Sequence, residues 1–227
     1  MNRFYNIWIF VFTFLTFPFA VAVGLNMDFT LLGIRIPGEE FAYKDLFFGI
    51  VSGIILVLSL LRSSKKWMGI RIINQSDKFR FTSKISSERK SRVVLYNLIE
   101  ALFSLLIGFT FLYMLPSSVI YLPLVYFLMG ADFLINTLVG VSWDNYGIGL
   151  TKKAIVAVDR DAKVIYLKGL KCISKHQDTL YFEYKNGLIL HFPTNLIPAQ
   201  KEDAFIEVLK NIADPDKVYY SGFSQEF

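Results

Sequence analysis

Four long apolar runs are spaced along the chain, at residues 4–27, 46–61, 93–115 and 119–141, and the two longer segments between them are rich in charge. The first run has no charged residue and exceeds the roughly 20 residues needed to cross a bilayer. The second is shorter, but Lys44 and Arg62 flank it, and long basic side chains reach the interface from just inside it. Between the third and fourth lies Leu115-Pro116-Ser117-Ser118, where proline ends a helix and serines satisfy free backbone groups. The last two runs therefore predict an antiparallel helical hairpin. Tyr113, Tyr121 and Trp143 fall near run ends, as an interfacial aromatic belt requires.

The pattern changes after Trp143. Short strand-like runs occur at 147–150, 155–158, 164–167, 180–184 and 188–192. Asn186-Gly187, between the last two, is a strong hairpin signal. Residues 199–212 then carry Phe205, Val208, Leu209 and Ile212 at helical spacing, after Pro198 and before Asp214-Pro215. The middle segment, 62–92, holds two alternating pieces, Gly69-Ile70-Arg71-Ile72 and Lys78-Phe79-Arg80-Phe81, around a polar turn at 74–77, and predicts a β-hairpin. The expected fold class is membrane α-helical, with about four transmembrane helices, plus a small α+β domain. The expected organisation is a four-helix region over 1–142 with a basic loop at 62–92, a domain over 143–213 and a flexible tail over 214–227.

Composition agrees with this division. Hydrophobic residues make up 54 % of the 227 and charged residues 19 %, below the ~25 % of a soluble domain. The net charge of +5 is local. Residues 26–45 hold two basic residues, Arg35 and Lys44, against four acids; residues 62–92 hold ten basic residues against Asp77 and Glu88. From Trp143 onward eleven basic residues balance eleven acids. Basic segments stay in the cytoplasm, so a multi-pass protein with both termini inside the cell membrane is expected. A high pI of this origin reports topology and argues against nucleic-acid binding. A second reading of the first run is a secretory signal peptide, with Arg3 before it and Ala20-Val21-Ala22 as a cleavage site; its length and single leading cation speak against this.

Candidate chemistry is sparse. Run three carries Asn97, Glu100, Ser104 and Gly108 on one helical face; run four carries Asp132, Asn136 and Gly140. A carboxylate in lipid costs several kcal/mol, so these groups are expected to face each other or water. Two uses fit: a proton or ion site, or a helix contact made by hydrogen bonds. Run two holds Gly49-Ile50-Val51-Ser52-Gly53, a close-packing motif through Gly49 and Gly53. Lys65, Lys66, Arg71, Lys78, Arg80 and Lys84 are candidates for contact with anionic lipid head groups, each worth ~1 kcal/mol near such a surface. The same charges also fix topology. Asn74-Gln75-Ser76 matches a glycosylation sequon that a cytoplasmic loop would not present to the machinery.

Nucleophile, phosphate-loop and zinc-protease motifs are absent, and no cofactor is implied. His176 and His191 sit on different predicted elements, and Cys172 is the one cysteine. Asp159-Arg160-Asp161 looks like a D-x-D metal motif, but solvated acids are ordinary in a turn. No metal site and no enzymatic activity are expected.

Leu167-Lys168-Gly169-Leu170-Lys171-Cys172-Ile173, then Tyr181-Phe182-Glu183-Tyr184-Lys185-Asn186-Gly187-Leu188, then Phe192-Pro193 through Ile197-Pro198 and the final helix, resemble the pleckstrin-homology-like domains found behind transmembrane helices in bacterial membrane proteins. The resemblance covers about a third of the chain. It implies a partial β-barrel with a C-terminal helix, an inner-membrane location, and a binding or assembly module whose partner is a protein, a second copy or lipid. About five strands are visible where the family barrel has seven, and the hairpin in 62–92 is a candidate for the other two.

Overall fold

The computed structural model describes residues 2–25, 29–31, 34–36, 43–213 and 218–222. The loop charge Arg35 is described in backbone only, and the expected tail lies outside the described residues except at 218–222. The elements are α1 (Asn2–Gly24), β1 (Phe29–Leu31), β2 (Ile34–Ile36), α2 (Lys44–Ile73), β3 (Phe81–Lys84), α3 (Ser87–Met114), α4 (Tyr121–Thr137), β4 (Gly147–Leu150), β5 (Ala154–Val158), β6 (Ala162–Tyr166), β7 (Leu170–His176), β8 (Thr179–Tyr184), β9 (Ile189–Pro193), α5 (Glu202–Ile212) and β10 (Tyr219–Ser221). They form two compact units. One comprises residues 1–65 and 96–136, the other residues 66–95 and 137–227.

Among the described residues four helices are long and apolar enough to cross a membrane, and between 22 % and 39 % of their most apolar windows is buried within the protein. The rest of that apolar surface faces outward. Phe10, Phe14, Phe103 and Phe109 are all exposed. So much uncovered hydrocarbon is what a lipid-facing surface presents and what a water-facing one avoids.

The first unit packs around Phe48, Ile55, Phe111, Leu122 and Tyr126. Small residues set the spacing of its helices. A Cβ on Gly130 would stand 3.0 Å from Leu105, and one on Gly108 would stand 3.0 Å from the Phe127 ring, so α3 and α4 approach closely. The expected close-packing motif is used at one glycine only. Gly49 faces the Tyr121 ring, while Gly53 is exposed with open space about it. Four residues advance the helix by 40° beyond a full turn, which carries Gly53 off the inward stripe.

That stripe on α2 is regular. Phe48, Ser52, Ile55, Ser59, Arg62, Lys66, Gly69 and Ile73 are all buried, at alternating steps of four and three. This is the 3.5-residue period of a supercoiling helix. It explains a correction. The piece Gly69-Ile70-Arg71-Ile72 was expected to be a strand and is helical. Its apolar residues continue the helical stripe, and 30 residues reach ~45 Å, well past the ~30 Å of hydrocarbon.

The second unit holds two open four-stranded sheets, in the orders β3-β4-β5-β6 and β10-β7-β8-β9; they do not close into a barrel. The segment between α2 and α3 thus supplies one strand, β3, rather than a hairpin. β3 pairs antiparallel with β4, Phe81 opposite Leu150 and Lys84 opposite Gly147. Between the sheets lie Ile148, Leu150, Ile155, Ile173, Phe182 and Phe192, covered by Phe205 and Leu209 of α5. The Phe205 ring stacks on Phe192 at 5.7 Å and meets Phe81 edge-on at 5.4 Å, so β3 contributes to the same core.

β5 is buried at every residue. Its other face is covered by a second cluster: Ile70 and Ile73 from the end of α2, Ile85 just before α3, Val93 of α3 and Tyr146 just before β4. A strand buried on both faces reads as a continuous apolar run instead of an alternation, which is how Ala154-Ile155-Val156-Ala157-Val158 appears. Backbone contact is close here. A Cβ on Gly69 would lie 2.6 Å from that of Ala162, and one on Gly149 would lie 2.3 Å from the Phe79 ring.

Four of the described strands went unpredicted: β1 and β2, which pair antiparallel with each other, β7 and β10. β10 falls within the tail expected to be flexible, and it pairs parallel with β7, Tyr219 opposite Cys172.

Candidate functional site

All five of the sequence-predicted intramembrane groups are buried or partly so on α3 and α4. Asn97 and Asn136 are fully buried, Ser104 nearly so, and Glu100 half-buried. Ser104 Oγ donates to the Glu100 carbonyl at 2.8 Å, within its own helix. Asp132 is partly buried on α4. It accepts a 2.6 Å hydrogen bond from Ser63 of α2. Asn97 is the group without an identified use. Neither atom of its amide has a hydrogen-bond partner among the described residues.

Sequence reasoning missed Arg62. It is 4 % exposed, donates from Nη1 to Asn6 Oδ1 at 3.0 Å, and lies with Cζ 4.4 Å above the Phe133 ring. A guanidinium spreads its charge and tolerates an aromatic face, so one side chain ties α1 and α4 to α2. Its heptad position, three residues after Ser59, was the available signal. Lys66 shares that stripe and is 3 % exposed, so it does not present a surface charge to head groups. Lys65 bonds the Tyr5 hydroxyl at 2.7 Å.

The remaining cations of the 62–92 segment divide into two sets. Arg89 chelates Asp159, Lys90 pairs with Asp144 at 2.5 Å, and Arg92 pairs with Glu88 one turn earlier. Arg71, Lys78, Arg80 and Lys84 are exposed, and none has a carboxylate partner among the described residues. Lys84 Nζ instead donates to the Asp144 carbonyl at 2.6 Å.

Lys84 also borders a cavity of about 260 Å³, with Lys201 at the start of α5, Asn74, Thr82, Ser83 and Asn145. Two ammonium groups, two amides and two hydroxyls, with no carboxylate among the described lining residues, suit an anion. Asn145 is held by its own bond to the Val139 carbonyl at 3.1 Å and Asn74 by a bond to the Ile70 carbonyl at 2.9 Å.

The D-x-D motif has a structural use. Asp159 is 4 % exposed, takes Arg89 through Oδ2 and receives the Asp161 N–H through Oδ1 at 3.1 Å. No group of three metal-ligating side chains converges among the described residues. His176 and His191 both stand exposed; His176 meets the Tyr181 ring edge-on at 5.7 Å. Cys172 is half-buried on β7. Burial pushes its thiol above the ordinary value, the Glu183 carboxylate adds to the rise, and Lys171 partly offsets it. Lys171 itself bonds Glu183 at 2.7 Å, which holds its ammonium above the ordinary value.

Comparison with protein families, with curated proteins and with solved structures finds no match for the chain.

Proposed function

We propose that this is a non-enzymatic, multi-pass membrane protein whose C-terminal unit engages anionic lipid head groups. The observation that carries this reading is the division among the cations of residues 71–92. Arg89, Lys90 and Arg92 are neutralised by carboxylates, while Arg71, in the last turn of the membrane-length α2, and Lys78, Arg80 and Lys84, shortly after it, stay exposed with no carboxylate partner among the described residues. Each such cation contributes ~1 kcal/mol at an anionic surface. The cavity at Lys84 and Lys201 has the donors to take a phosphate.

The excess of basic residues in 62–92 supports a cytoplasmic position for this segment and for both termini, in a bacterial inner membrane. Two open sheets with a C-terminal helix are compatible with a pleckstrin-homology-like domain, and assembly with a protein partner or a second copy is a further use of such a module. Native mass spectrometry of protein extracted in mild detergent tests the reading. Anionic lipids should be retained over zwitterionic ones. Replacing Arg71, Lys78, Arg80 and Lys84 by Gln should remove the preference; an unchanged lipid profile defeats the idea.

A second reading is favoured by Asn97, whose buried amide lies one turn from Glu100. Here the helices are a small transporter or channel subunit. Glu100→Gln and Asp132→Asn should then each abolish flux in proteoliposomes at unchanged expression, and full flux in both removes it.

A further inference from the structure

At the end of β4 opposite Gly147, three loops of the second unit are tied together by their backbones. The Leu167 N–H donates to the Lys153 carbonyl at 2.8 Å, and the Lys185 N–H donates to the Gly169 carbonyl at 3.0 Å. The Tyr184 hydroxyl reaches the Tyr166 carbonyl at 2.5 Å. Thr151 Oγ1 accepts from the N–H groups of Lys153 and Ala154, at 3.2 and 2.9 Å, and fixes the first loop. Gly169, at φ +86°, allows the second loop its turn. These bonds bring Lys152, Lys153, Lys168 and Lys185 to one cavity of about 620 Å³.

The four lysines differ from their neighbours on the same sheets. Lys171 is paired with Glu183 and Lys175 with Glu202, whereas none of the four has a carboxylate partner among the described residues. Four ammonium groups round one concavity focus a positive potential. The floor is apolar. Leu170 and Val218, both buried in the core, line it together with Ile212. A cavity of this size, with an apolar floor and a few polar groups at its mouth, fits a small organic ligand. Lysines bind phosphate as point charges, and a phosphomonoester brings close to two negative charges where a carboxylate brings one.

We propose that this cavity binds a phosphomonoester carrying a short apolar body, at a site separate from the head-group contact of Lys84 and Lys201, at the other end of β4. The inference stands whether or not that contact is correct.

Isothermal titration of the full-length protein in a neutral detergent tests it, with hexyl phosphate below its aggregation limit as probe and inorganic phosphate, hexanoate and hexanol as comparisons. Hexyl phosphate should bind at least tenfold more tightly than each of the other three. The double substitution Lys168→Gln with Lys185→Gln should weaken it at least tenfold, and Lys152→Gln with Lys153→Gln should do the same; all four residues are exposed, so the core is untouched. Lys163→Gln, an exposed cation of β6 outside the cavity lining, should leave it unchanged. Equal binding of inorganic and hexyl phosphate, equal binding of hexanoate, or wild-type affinity in both lysine doubles overturns the proposal.

Discussion

Arg89 holds Asp159 through two donors on one oxygen, Nε at 2.9 Å and Nη2 at 2.5 Å, and so fastens the first turn of α3 to the turn between β5 and β6. The carboxylate is almost wholly buried and the guanidinium about a quarter exposed. Removing one partner of a buried pair strands the other charge. Asp159→Ala is expected to cost about 3 kcal/mol, seen as faster hydrogen exchange in β5 and β6. Arg160→Ala, its neighbour, is the control. Equal exchange in the two variants would show that the pair carries no stability.

Arg62 and Arg71 belong to the same basic segment and should behave in opposite ways. Arg62→Gln leaves Phe133 and Asn6 without their partner inside the helical unit and is expected to destabilise by about 3 kcal/mol. Arg71→Gln changes an exposed position and should stay within about 0.5 kcal/mol. Thermal unfolding in detergent decides between them; equal midpoints would mean that Arg62 is a topology signal only.

Gly149→Ala should disrupt β4, an inner strand, because its Cβ would meet the Phe79 ring at 2.3 Å. Overpacking of this kind costs about 1–3 kcal/mol. Phe79→Ala in the same chain removes the obstacle and should recover part of the loss, measurable by circular dichroism on heating. Additive losses in the double variant would place the strain elsewhere.

Cys172 offers a pH test. Its thiol is raised by burial and by the Glu183 carboxylate, so less thiolate is present at any pH below the folded value. Alkylation by iodoacetamide at pH 7.5 should be slower than that of free cysteine and should rise with pH past the ordinary value. Glu183→Gln removes one cause and leaves Lys171 free, so it should speed the reaction. A rate unmoved by that substitution would assign the slowness to access alone.

The helices were legible because the apolar runs at 4–27, 93–115 and 119–141 are long enough to need lipid, and the β8–β9 hairpin because Asn186-Gly187 admits the turn, with Gly187 at φ +80°. The end of α2 was misjudged because Ile70-Arg71-Ile72 alternates over three residues, too few to separate a strand from the flank of a helical stripe. β7 was hidden by its own irregularity. Its register shifts between Leu170 and Cys172, so the buried Leu170 and Ile173 stand three apart and the two-residue period is lost. Of the candidate site, the residue types were visible and the pairings were not. Nothing local to Asp159 announces Arg89, seventy residues earlier, and the burial of Arg62 depends on Asn6 and Phe133 from other helices.

β10 is three residues long, yet it occupies the flank of β7 that would otherwise offer a row of free N–H and C=O groups. A chain cut after Ala213 would bare that row. Strand addition from a second molecule is the ready way to fill it, so the truncated protein should form higher-order species by light scattering. Tyr219–Ser221 thus act as a built-in stopper against edge-to-edge addition at β7.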